Sequence, residues 1–191
     1  MKISNGVNKK IIFSLIVILI LVVIVGGFFW WQNQKDVREL NKGLPEGVRV
    51  VKSLIGKEYR VVNKIDGYEF KVPRELGGIK EIIYYEQTDE EPPGISIDTQ
   101  SGDLFGVGVV NLEDEQISLE SWVQENIIKT MPPNWRIEKQ FLNGTETFKL
   151  VAEKQPLSEI PSYFFKIGSK IYNISGTSKD STESIITEGR W

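Results

Sequence analysis

Residues 11–31, IIFSLIVILILVVIVGGFFWW, carry no charge, and Ser14 is their only polar side chain. As an α-helix at ~1.5 Å per residue the run is about 31 Å long, matching the ~30 Å hydrocarbon core of a bilayer. A segment apolar on every side has no face to turn to water, so it does not read as the core helix of a soluble domain. In lipid a lone span must satisfy its own backbone hydrogen bonds, and helix is the one conformation that does so. A cleaved signal sequence has an apolar region of about 7–15 residues ending at small side chains. This run is longer and ends in Phe28, Phe29, Trp30 and Trp31, with no A-x-A pattern after it. Without a cysteine there is no lipoprotein site, and the processing site of a type IV pilin, a Gly-Phe step with Glu five residues in, is missing. Trp30 and Trp31 are expected at the headgroup boundary, where an amphipathic ring has apolar and polar neighbours.

Lys2, Lys9 and Lys10 precede the span, and Lys35, Arg38 and Lys42 follow it. The pair abutting the span and the ease of retaining a short tail favour an N-in orientation. The expected organisation is a cytoplasmic tail (1–10), a single transmembrane helix (11–31), a juxtamembrane stalk (32–56) and a folded domain (57–191) outside the cytoplasm, on the plasma membrane.

The domain is long enough to bury a real core. The formal net charge of −3 is spread without a basic face, which argues against nucleic acid as a partner. The chain has no cysteine and no histidine. That excludes disulfides, thiol nucleophiles, Ser-His-Asp triads, and zinc bound through His or thiolate. Carboxylates, lysines, tyrosines and Ser-Lys pairs remain for catalysis. No arrangement of them forms a motif, so no catalytic residue, cofactor or metal ligand is assigned.

Local patterns give the folded part. Asp66-Gly67 is a hairpin signal between Tyr59–Val62 and Tyr68–Val72, and Asn143-Gly144 is another between Trp135–Phe141 and Thr147–Glu153. Gly168-Ser169 separates Tyr163–Ile167 from Lys170–Ser175. Further strands are expected at Ile79–Tyr85, Ile95–Thr99 and Leu104–Val110, with Arg49–Ile55 as a first strand or packed arm. Ser118–Thr130 is a helix: Ser118 caps it, Glu120 suits its first turn, and Leu119, Trp122, Val123 and Ile127 form one stripe. A short terminal helix is expected over Ser181–Thr187. Successive hairpins with one or two helices imply an α+β fold, an antiparallel sheet sandwiched by helices.

The order of these elements resembles the PsbP-like domain, the α/β/α sandwich named for an extrinsic subunit of photosystem II. Four stretches carry the likeness: DGYEFKVPREL (66–76), SLESWVQENIIKT (118–130), WRIEKQFLNGTETFKLVAE (135–153) and YFFKIGSKIYNISGTS (163–178). The resemblance implies a non-enzymatic accessory or binding module. The photosystem role is not carried over, because no residue set here matches cofactor or manganese handling. A fold alone does not name a function.

The acidic runs Asp89-Glu90-Glu91 and Glu113-Asp114-Glu115, with Asp98 and Asp103, lack the spacing of a calcium loop and read as solvated charge. Ser169-Lys170 reads as turn chemistry rather than a catalytic dyad. The sequons at Asn143 and Asn173 fall in a tight turn and a strand. Among the aromatics, Tyr84, Tyr85, Tyr163 and Tyr172 are the candidate binding patch, set against the alternative of core packing. The leading expectation is a membrane-anchored binding or accessory module for a protein or a cell-envelope polymer. The alternatives are an envelope glycan hydrolase working through two carboxylates and a structural subunit of a membrane complex.

Overall fold

The computed structural model describes residues 9–53, 58–88, 92–152, 161–176 and 178–191. The chain divides into two units, Met1–Glu39 and Leu40–Trp191. The first contains α1 (Lys9–Asn33). Every large apolar side chain from Ile12 to Trp31 is exposed, on all sides of the helix. The helix is long and apolar enough to cross a membrane. A short helix, α2 (Lys35–Asn41), follows it.

The second unit opens with a three-stranded antiparallel sheet in the order β1 (Val48–Lys52), β2 (Tyr59–Asn63), β3 (Tyr68–Val72). β1 lies inside the segment expected as stalk, so the folded unit begins at Leu40 rather than near residue 57. Its anchorage is a local one. The Asn41 side-chain amide accepts from the Val50 N–H at 2.7 Å and donates to the Val50 carbonyl at 3.0 Å, standing in for a strand neighbour at the edge.

The main sheet has seven antiparallel strands: β4 (Ile79–Tyr85), β5 (Gly94–Thr99), β6 (Leu104–Asn111), β7 (Trp135–Leu142), β8 (Thr145–Ala152), β9 (Ser162–Ile167) and β10 (Lys170–Gly176). Their spatial order is β4-β5-β6-β10-β9-β8-β7. The chain leaves β6, forms α3 (Leu119–Asn126), and crosses to the far edge as β7. The expected hairpins are present. At the β7–β8 turn both Asn143 (φ 49°) and Gly144 (φ 81°) are left-handed, the pairing that matches the twist of adjoining strands.

Alternation in β9 and β10 gives the sheet two apolar faces. On the inner face Tyr163, Phe165, Tyr172 and Ile174 join Ile95, Ile97, Phe105, Val107 and Val109, all buried. This face meets the small sheet, where Phe70 lies edge-on to Phe105 at 6.0 Å, and α4 (Lys179–Glu188), which buries Ile185 and Ile186. On the outer face Phe148, Phe164 and Ile171 pack with Leu119 and Val123 of α3, and Trp122 adds its ring 6.0 Å from Phe164. The observed fold is thus the expected α+β arrangement with helices on both faces. It also has a second sheet that local patterning alone did not assign.

Ser118 caps α3, its hydroxyl accepting from the Ser121 N–H at 3.0 Å. The helix is shorter than expected. It ends at Asn126 and tightens into a 3₁₀ turn over Ile128–Thr130 ahead of Pro132. The terminal helix is longer than expected and leads to Trp191. That ring lies 5.1–6.1 Å from those of Phe165, Tyr172, Tyr68 and Phe70, and its indole N–H donates to the Ile186 carbonyl at 3.1 Å. Main-chain bonds between Glu69 and Arg190 hold the approach. Trp191→Ala is expected to destabilise the folded unit by about 3 kcal/mol, since truncating a core aromatic costs roughly 3–5 kcal/mol and this one is half-buried. Denaturant titration of the full chain in detergent checks it; a loss under about 1 kcal/mol would show that the indole is not part of the core.

Candidate functional site

The four tyrosines of the expected patch do not share a surface. Tyr163 and Tyr172 are 0% and 2% exposed. Both sit at inward positions of β9 and β10. The Tyr163 hydroxyl donates to Glu183 Oε1 at 2.7 Å, and the Tyr172 ring stacks on Phe165 at 5.3 Å. Burial, reinforced for Tyr163 by the Glu183 carboxylate, pushes both phenols above their ordinary titration range. These two are core residues, and the patch is corrected accordingly: strand parity decides their side, and local sequence does not reveal which face a second sheet will cover. Tyr84 is half-buried, and its hydroxyl faces the Asp66 carboxylate. Tyr85 alone of the four is exposed.

Tyr85 forms one wall of a groove of about 250 Å³ on the outer face of the main sheet. The strand register builds its floor. One row runs Tyr85, Gly94, Gly108, Asn173, and the next runs Ile83, Ser96, Gly106, Ser175. Three glycines leave the floor flat. At Gly94 the flatness is obligatory, because a Cβ there would lie 2.6 Å from the Val107 carbonyl oxygen. The lining contains no charged side chain. It offers an aromatic edge, two hydroxyls and an amide, a set suited to a neutral polar surface or an extended chain. The α3 cluster covers residues of β7, β8, β9 and β10 on this same face, and the groove lies on the half formed by β4, β5, β6 and the neighbouring end of β10. Glycine spacing in LFGVGVV marked a close approach or bulge. That the approach is a groove floor depends on pairing with β5 and β10, which the segment itself does not state.

A second groove, of about 300 Å³, lies among Glu58, Lys71, Pro73, Arg74, Glu75, Ser184 and Glu188. Glu58 is held between Arg74 at 3.2 Å and Lys71 at 3.4 Å, and these hydrogen-bonded cations keep its carboxyl below the usual range. This is the reverse of what a general acid needs. Among the described residues, no three acidic side chains gather as a metal site. Asp98 pairs with Lys80 at 2.6 Å, Asp103 with the Ser101 hydroxyl at 2.6 Å, and Asp114 accepts from the Gln116 N–H. The run Asp89–Glu91 lies outside the described residues. Ser169 lies in the β9–β10 turn and Lys170 opens β10, and the Lys170 amine donates to the Asp66 carbonyl at 2.6 Å rather than to a serine.

At the end of α1, Trp30 and Trp31 are exposed, and the Arg38 guanidinium lies 5.6 Å from the Trp31 ring centroid. An aromatic pair beside a cation suits a membrane–water boundary.

The Glu58 cluster generates a pH test. Its folded-state pKa is depressed, so its contribution to stability is present above the unfolded carboxylate value and is lost as pH falls through the folded value. Wild type is therefore expected to lose more stability than Glu58→Gln on acidification below about pH 4.5, and the difference should shrink at high salt. Parallel pH curves for the two proteins would show that the ion pairs contribute nothing measurable.

No protein-family model matches the chain, and no curated protein matches it. The chain is similar to several solved structures. The solution structure of cyanobacterial PsbP (CyanoP) from Synechocystis sp. PCC 6803 is 11% identical, with a TM-score of 0.44, covering 73% of this chain and 96% of that one. A crystal structure from Bacteroides thetaiotaomicron VPI-5482 is 10% identical, with a TM-score of 0.33, covering 64% of this chain and 44% of that one.

Proposed function

We propose that this chain is a single-pass, membrane-anchored and non-enzymatic binding module, with its α+β domain outside the cytoplasm. The observation that carries the reading is α1, whose large apolar side chains are exposed on every side, while most large apolar residues of the strands are buried or half-buried. Water penalises such a helix at roughly 25 cal/mol per Å² of apolar surface, and lipid does not. The anchor confines the domain to the bilayer surface and raises its effective concentration toward anything else held there.

Within the domain, the glycine-floored groove beside Tyr85 is the docking surface, for a partner protein or a cell-envelope polymer. Its neutral lining supports binding rather than hydrolysis. Glycoside cleavage needs two carboxyls about 5–9 Å apart with opposed titration behaviour. The acid most clearly displaced here, Glu58, lies outside that groove and is displaced downward.

Two tests follow. Ile20→Lys places a charge near the middle of the span, at a cost of roughly 2.5–3.5 kcal/mol of insertion free energy. Membrane recovery of the chain is expected to fall sharply, and undiminished recovery would contradict the anchor. For docking, Gly108→Phe fills the groove from a position where an added Cβ meets no atom closer than 3.9 Å. In-cell crosslinking of full-length protein is expected to capture a recurrent partner or envelope polymer with wild type and to lose it with Gly108→Phe. Retention of the same crosslink would remove the groove from the reading.

A further inference from the structure

We infer that the groove beside Tyr85 binds an uncharged pyranose unit of a glycan chain, with the C–H face of the sugar on the Tyr85 ring and its hydroxyls on the side chains of Ser96, Asn173 and Ser175. The inference rests on the reading of this groove as the docking surface and names its ligand. Tyr85 is 47% exposed, and Ile83, two residues back on the same face of β4, is 42% exposed. In the same two rows of the sheet stand Ser96, Asn173 and Ser175, all half-buried. None of these three polar side chains, nor the Tyr85 hydroxyl, makes a hydrogen bond to another described residue, so all four groups are available to a ligand.

The three glycines between these side chains leave a flat bed. The Ser175 hydroxyl reaches over it, its oxygen 3.7 Å from where a Cβ on Gly106 would stand. A pyranose ring has the complementary form, apolar where its axial C–H bonds project and hydrogen-bonding around its rim. An exposed aromatic ring meets the first, and hydroxyl and amide groups, which both donate and accept, meet the second. The lining has no charged side chain. An anionic polymer or lipid headgroup would lose hydration there without a cation in return. A peptide is the poorer occupant. The main-chain groups of the floor are already paired within the sheet, so no strand can be added across this face, and peptide N–H and C=O groups would lie unpaired on glycine. At about 250 Å³ the groove is smaller than the roughly 300–1,000 Å³ of sites for drug-sized ligands, which suits one ring of a chain lying across the sheet.

Calorimetric titration of the full chain with chitotetraose and cellotetraose, in a detergent without sugar headgroups, tests the inference. Wild type is expected to bind at least one of these uncharged oligosaccharides. Tyr85→Phe, which keeps the ring, should retain that binding, and Tyr85→Ala, at an exposed position, should weaken it at least about tenfold. Gly108→Phe, which fills the bed, should abolish it. Absence of binding to either sugar at millimolar concentration, or binding that survives both Tyr85→Ala and Gly108→Phe, would overturn the inference. Heparin binding that Tyr85→Ala abolishes would overturn it too, because the lining holds no charge to meet a polyanion. The docking reading fails separately. If Gly108→Phe still loses the in-cell crosslink while wild type binds neither sugar, the groove docks a protein and its glycan assignment alone falls.

Discussion

A seven-stranded sheet whose β9 and β10 carry large apolar side chains on both faces has to be covered twice, and the rest of the domain follows from that requirement. Phe164 and Ile171 point outward to α3, while their neighbours Phe165 and Tyr172 point inward. The inner cover is composite: the β1–β3 sheet brings Val50, Val61 and Phe70, α4 brings Ile185 and Ile186, and Trp191 lies among the rings of both layers. The outer cover is one short helix. It reaches β7, β8, β9 and parts of β6 and β10, and beside it the floor of the groove carries glycine, serine and asparagine. The groove and the core are therefore two results of the same economy of covering elements.

Features encoded within a few residues were legible. Asn143-Gly144 and Asp66-Gly67 specify tight turns through left-handed backbone, Ser118 specifies a helix start, and the Leu119–Trp122–Val123 stripe specifies its buried side. The unbroken apolar character of residues 11–31 specifies a helix without reference to any partner. What was not legible depends on pairing between distant segments. Nothing in β6 states that its neighbour is β10 rather than the next strand in sequence, and so nothing local states that Tyr163 and Tyr172 face a second sheet. Arg49–Ile55 reads equally as strand or packed arm, because the Asn41 clamp and the pairing with β2 that fix the strand Val48–Lys52 lie outside that segment. Trp191 is a single aromatic after a short helix, and only the assembled rings around it reveal its role.

Of the four tyrosines named from the sequence, Tyr85 lines the groove. Tyr85 alternates with Tyr84 at the end of an apolar strand, and alternation puts one of such a pair on each face. Which one stays in solvent is set by the small sheet's hairpin, whose Asp66 meets Tyr84 on the inner side. The absence of histidine and cysteine narrowed the chemistry from the start. Among the described residues, the shifted groups are phenols raised chiefly by burial and surface side chains engaged in ion pairs.

The account rests on α1 remaining uncut in lipid while the strands fold in water. Alkaline carbonate extraction of membranes from cells expressing the full chain tests this most directly. Recovery of the intact 21.8 kDa polypeptide in the membrane pellet is the predicted result. Recovery of that same full-length species in the supernatant would contradict it.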